Sequence, residues 1–116
     1  MEQKIISIFD VVGSKAAVSS EDGERLFEKI CAFLEKGFEV VLDFENIDTL
    51  ITTFLNAAIG QLYSKYDSPF LREHLKVRNI ISEDKNRMIS TIERAKEYFR
   101  DKDSFEKDVK EAFDDE

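Results

Sequence analysis

Apolar and polar positions along the chain switch repeatedly between strand-like and helix-like spacing. Lys4 to Phe9 reads Lys-Ile-Ile-Ser-Ile-Phe, a β-rich run that predicts a first strand. Val11-Val12-Gly13 extends or turns it, and Ala17-Val18 predicts a brief second strand. Ser19-Ser20-Glu21-Asp22 carries the hydroxyl cap and first-turn acids of a helix start. Leu26, Phe27, Ile30, Phe33 and Leu34 follow at helical spacing, Gly23 weakens the first turn, and Gly37 ends the helix. Phe38 to Phe44 contains Val40-Val41-Leu42, bounded by Gly37 and Glu45-Asn46. Such a continuous apolar run predicts a buried central strand.

Thr52 to Tyr66 predicts a second helix, with Phe54, Leu55, Ala58, Ile59, Leu62 and Tyr63 as a broad apolar face and Gly60 allowing close packing. Asp67-Ser68-Pro69 breaks it, and Phe70, Leu71 and Leu75 read as a short linking segment. Leu75 to Ile81 predicts a third main strand. Ser82-Glu83-Asp84 starts a third helix with Met88, Ile89, Ile92, Ala95 and Phe99 inward, and Asp101 to Phe113 predicts a last helix. The order β(β)-α-β-α-β-α-α is of the α/β class. It implies a small, mostly parallel sheet with helices packed against it, joined by right-handed crossovers. The expected organisation is one domain over residues 1–100 and an acidic helical extension over 101–116.

Composition narrows the function. The 116 residues, 42% hydrophobic and 36% charged, fit one globular domain that buries a core without disulfides or metal. No apolar run approaches the ~20 residues that span a bilayer, and the N-terminus lacks a signal peptide's basic-then-apolar order. A cytoplasmic protein with no membrane partner is expected. Acids outnumber bases 25 to 17, a formal charge of −8, which disfavours nucleic acid and anionic lipid as partners. Residues 101–116 hold eight of the acids and three lysines, a net of −5, leaving −3 for residues 1–100. Phe105, Val109 and Phe113 form one stripe on that last helix, suited to a partner's groove or to this protein's own sheet.

Candidate chemistry is sparse. Glycine-rich phosphate loops and the Gly-x-Ser-x-Gly elbow are absent. One cysteine and one histidine exclude an internal disulfide, a cysteine-rich zinc site and a two-histidine metal site, so no metal and no cofactor are expected. His74 reads as a linker histidine with a local hydrogen bond, and Cys31 as a buried structural thiol. Asp43 ends the central strand, where open α/β sheets place their ligands. It reads either as a carboxylate capping the next loop's amides or as part of a pocket with Asn46 and Thr52, its pKa raised. Glu45 and Asp48 read as solvated loop charges.

The stretch from Val40 through Ala57 resembles the central strand, loop and helix start of STAS domains, the fold of anti-sigma factor antagonists. It is closer still to a small bacterial STAS-like domain family of unknown function. Ser19 to Leu26, Val40 to Phe44 and Ile51 to Phe54 carry the resemblance. The Leu75 to Ile80 strand and the Ser82 helix fit the same layout, so that it spans about residues 5–98. The resemblance implies a regulatory protein-binding module rather than an enzyme, with a histidine-kinase-like ATPase as the expected class of partner. It also allows a homodimer.

In such antagonists a hydroxyl at this helix start is a switch that phosphorylation turns off, which here points to Thr52 and Thr53. Asp48, Thr49, Thr52, Thr53 and Asn56 are the implied partner-binding residues. Ile51 and Phe54 stand where the antagonists carry an aspartate and a glycine. Read from the residues alone, Thr52 and Thr53 are N-capping hydroxyls. Two other functions stay open: a small-ligand or catalytic domain using Asp43, and a mobile-element-encoded inhibitor whose acidic surface mimics nucleic acid.

Overall fold

The structure is a computed structural model and describes residues 1–114, with side chains described through residue 100. Strand β1, Gln3–Ser7, stops short of the β-rich run because Ser7 turns the chain. Its hydroxyl accepts the Asp10 N–H at 3.2 Å and caps a short helix, α1, Ile8–Val12. Gly13, left-handed at φ 79°, closes that helix. Capping at both ends outweighs the strand propensity of Ile8, Val11 and Val12.

Strand β2 is Ala16–Ala17, one residue earlier than expected. Helix α2, Ser20–Glu35, starts on the Ser19 hydroxyl, which accepts the Asp22 N–H at 3.1 Å. It buries Gly23, Leu26, Ile30, Cys31 and Leu34, the stripe that a 3.6-residue period selects.

Strand β3, Glu39–Asp43, is followed by β4, Thr49–Leu50, helix α3, Thr52–Ala58, and a 3-10 turn, Gly60–Ser64. The helix expected over 52–66 is therefore two pieces, broken at Ile59, whose φ of −112° departs from helical values. The supposed breaker after it starts a helix, α4, Ser68–His74. The Asp67 carboxylate accepts the Phe70 N–H at 2.9 Å, and Pro69 falls in the first turn, where its missing N–H costs nothing.

Strand β5, Leu75–Arg78, ends before Asn79, which is left-handed at φ 59°. Helix α5 runs unbroken over Ser82–Asp114, replacing the two helices expected there, since no glycine or proline divides them. The Phe105, Val109 and Phe113 stripe lies outside the described side chains. Where side chains are described, α5 turns Asp84, Met88, Thr91 and Ala95 inward and leaves Ile89 at 44% exposure, contrary to its expected inward position. Two polar residues on that stripe mislead a purely apolar count. Asp84 accepts the Arg87 guanidinium at 2.8 Å, and the Thr91 hydroxyl donates to the Arg87 carbonyl at 2.9 Å.

The main sheet has the order β1-β3-β5 with both pairs parallel, Ile6 beside Leu42 and Leu42 beside Val77. Central β3 is buried as the run Val40-Val41-Leu42 demands. Ile6, Val40 and Leu42 join one core with Leu26 and Ile30 of α2 and Phe54, Leu55 and Ala58 of α3. The strands β2 and β4 form a separate parallel pair.

Gly23, read from sequence as a weak point in α2, is where α3 comes closest. A Cβ built on it would lie 2.6 Å from the Phe54 carbonyl oxygen and 2.7 Å from the Ala57 Cβ. Gly60, the expected close-packing glycine, has ordinary space, its nearest atom 3.7 Å away. Gly23→Ala is therefore expected to destabilise the fold by about 1–3 kcal/mol despite alanine's better helix propensity. Gly60→Ala is expected to stay within about 0.5 kcal/mol of the parent. Urea unfolding of the two variants checks the contrast.

Candidate functional site

The start of α3 is set by backbone, not by side-chain caps. The Lys15 carbonyl accepts the N–H groups of Asp48 and Thr49, at 2.8 and 3.1 Å, and the Ala17 carbonyl accepts that of Ile51 at 3.2 Å. This short β2–β4 ladder aims the chain into the helix. The N-cap residue is Ile51, which offers no side-chain acceptor, so the N-capping reading of Thr52 and Thr53 is corrected. Thr52 is half-buried. Thr53 is exposed, as are Asp48, Thr49 and Asn56. Ile51, 38% exposed, puts an apolar side chain among them. Asp48 and Thr49 precede the helix, while Thr53 and Asn56 lie three apart on its outer side.

A shallow groove continues this surface between α3, the 3-10 turn and α5. Asn56, Gly60 and Gln61 line one wall, and Arg94, Ala95 and Tyr98 the other. Tyr98 is 63% exposed and packs edge-on against Phe99, centroids 4.9 Å apart. Sequence reasoning missed Arg94 and Tyr98. The available signal was that an inward Phe99 turns its neighbour Tyr98 about 100° away, leaving a large aromatic side chain in solvent. At the other end of α5, the Arg87 guanidinium donates to the Leu50 carbonyl at 2.9 Å, tying that helix to the residue before Ile51.

Asp43 is separate from this surface and fully engaged. Its Oδ1 accepts the Asn79 side-chain amide and the Glu45 N–H, both at 3.0 Å. Its Oδ2 accepts Nε and Nη2 of Arg78 at 3.3 and 3.2 Å. The Asn79 bond first, then the Glu45 amide, hold the carboxyl below the ordinary carboxylate range, with Arg78 adding to them against the opposing effect of burial. The expected raised pKa is thus corrected, and of the two readings made of Asp43 the loop-capping one describes its geometry. Asn46, left-handed at φ 69°, is exposed on the turn that follows. Three of the cavities among the described residues are lined without Asp43, Asn46 or Thr52.

The single histidine and the single cysteine are also accounted for. His74 Nδ1–H donates to the Phe70 carbonyl at 2.9 Å, and its ring stacks on Phe70 at 4.0 Å. Cys31 is buried, and burial pushes its thiol up, away from nucleophilic character. No helix among the described residues is long and apolar enough to cross a membrane.

The chain belongs to a family of STAS-like domains of unknown function, whose model matches residues 22–85, from the first turn of α2 to the first turn of α5. No curated protein and no solved structure matches it. The matched segment contains β3, β4, all of α3 and the Asp43 cluster.

Because Asp43 joins the ends of β3 and β5, Asp43→Asn is expected to cost about 1–3 kcal/mol at neutral pH, leaving Arg78 without its carboxylate. A carboxyl whose folded pKa is depressed stabilises above its unfolded value, near 3.8, and that stability fades as pH falls below it toward the folded value. The gap between parent and variant should therefore close in acid. Urea unfolding at pH 7 and near pH 3 measures both.

Proposed function

We propose that this STAS-like domain is a non-enzymatic regulatory module that docks a partner protein on the outer side of α3. The observation that supports this reading is a set of exposed side chains: Ile51 just before α3, Thr53 and Asn56 on it, and Arg94 and Tyr98 across the groove from Asn56. It combines an apolar side chain, an aromatic anchor, an arginine and hydrogen-bonding side chains, the mixture in which binding hot spots occur. Asp48 and Thr49 border it on the β4 side. The backbone beneath is fixed by the β2–β4 ladder and by Arg87, so the patch is presented without a large ordering cost.

Within this reading Thr53 is the switch position and a histidine-kinase-like ATPase is the partner class. A phosphate on Thr53 would add about −1.5 to −2 charge at the centre of the patch, enough to expel a partner surface packed there. Thr52, half-buried, is the less accessible of the two hydroxyls.

The test is affinity capture from extracts of the native host, with the parent and three variants as bait. Thr53→Glu and Tyr98→Ala are each expected to weaken capture of the partner at least tenfold, while Thr53→Ala retains it. If Thr53→Glu and Tyr98→Ala both recover the same proteins as the parent, α3 is not the docking face.

A further inference from the structure

A different cavity, of about 250 Å³, lies between the 3-10 turn, α4, β5 and α5. Ile59, Leu71 and Met88 form its buried floor. Its polar lining includes Tyr63 from the turn, Arg72 from α4 and Lys96 from α5. Arg72 and Lys96 are exposed, come from different helices, and make no salt bridge among the described residues.

We propose that this cavity binds a small amphipathic monocarboxylate, its hydrocarbon body on the Ile59–Leu71–Met88 floor and its carboxylate between Arg72 and Lys96. Three observations carry this. The volume holds about eight non-hydrogen atoms, taking roughly 30 Å³ for each as for a water in the liquid, so the carbons of an eight-carbon acid fill it and the two carboxylate oxygens sit at its solvent side. That is too small for a nucleotide and right for a medium-length acyl or aryl acid. The floor is hydrocarbon and rewards an apolar body.

The lining includes two exposed cations and no acid, on a chain of net charge −8, which favours an anion over a cation there. Arg72 can take a carboxylate with two parallel N–H bonds, and Lys96 adds a point charge. Tyr63 is half-buried, and burial pushes its phenol up while Arg72 opposes the shift, so its O–H stays a donor at neutral pH. An alcohol of the same length would satisfy the floor but not the two cations, and an amine would be repelled by them.

The proposal is tested by two-dimensional amide NMR titration of the full chain with octanoate, 1-octanol and octylammonium. Octanoate is expected to shift the Met88 and Ile92 resonances with a dissociation constant on the order of 0.1–1 mM. Octanol should bind at least fivefold more weakly, and octylammonium should leave these resonances unmoved. The double variant Arg72→Gln, Lys96→Gln alters two exposed side chains and leaves the core intact. It should weaken octanoate about tenfold without changing octanol. The proposal is overturned if octanoate leaves Met88 and Ile92 unshifted, if octanol binds as tightly as octanoate, or if the double variant binds octanoate like the parent.

Discussion

The position of α3 depends on a side chain that is absent. Gly23 lets the backbone of α2 meet Phe54 and Ala57 at a distance where any Cβ would collide. Helix α3 has seven residues and no side-chain cap, far below the length at which a helix holds itself in water. It persists because Phe54, Leu55 and Ala58 are wholly buried against α2 and the sheet. Glycine costs α2 up to about 1 kcal/mol of helix propensity, and the close approach of the two helices offsets it. The depth at which α3 sits, and so which of its residues reach solvent, follows from that contact.

Two carboxylates fix what the apolar contact leaves free. Asp43 holds the end of β3 to the end of β5 through Arg78 and Asn79. Asp84 holds the Arg87 guanidinium, which in turn grips the Leu50 carbonyl. Each is a buried acid satisfied by a nearby arginine that remains partly in water, which limits the desolvation cost. Between them they tie both ends of the region before α3, so the patch around Thr53 rests on a braced backbone while the side chains facing outward stay free to be changed.

The elements with strong periodicity were legible in the sequence. The burial of β3 follows from Val40-Val41-Leu42, and the start and face of α2 follow from Ser19 and the Leu26–Ile30–Leu34 spacing. The resemblance placed the STAS-like layout correctly. What escaped was set by single polar atoms or by long-range contact. Ser7 and Asp67 convert an apparent strand end and an apparent breaker into helix caps. Strand β4 has two residues and exists because β2 lies beside it, so no local pattern could announce it. The role of Gly23 needs α3 as its neighbour, and Asp43 needs Asn79, 36 residues away. The exposed groove escaped for the same reason, since Asn56 and Tyr98 meet only once α5 is in place.

The parallel pairing has a further consequence, for the route by which the chain folds. Partners in the three strand pairs, Gln3 with Glu39, Val40 with Leu75 and Ala16 with Thr49, are 36, 35 and 33 residues apart. Neither sheet contains a hairpin that could form locally, so every ladder must await closure of a long loop. Helix α2, capped and 16 residues long, is the element able to form early, and β3 begins four residues after it ends. Until β1 and β5 arrive, the Val40-Val41-Leu42 segment has both hydrogen-bonding edges open, which makes this stretch the point of greatest aggregation risk during synthesis and refolding.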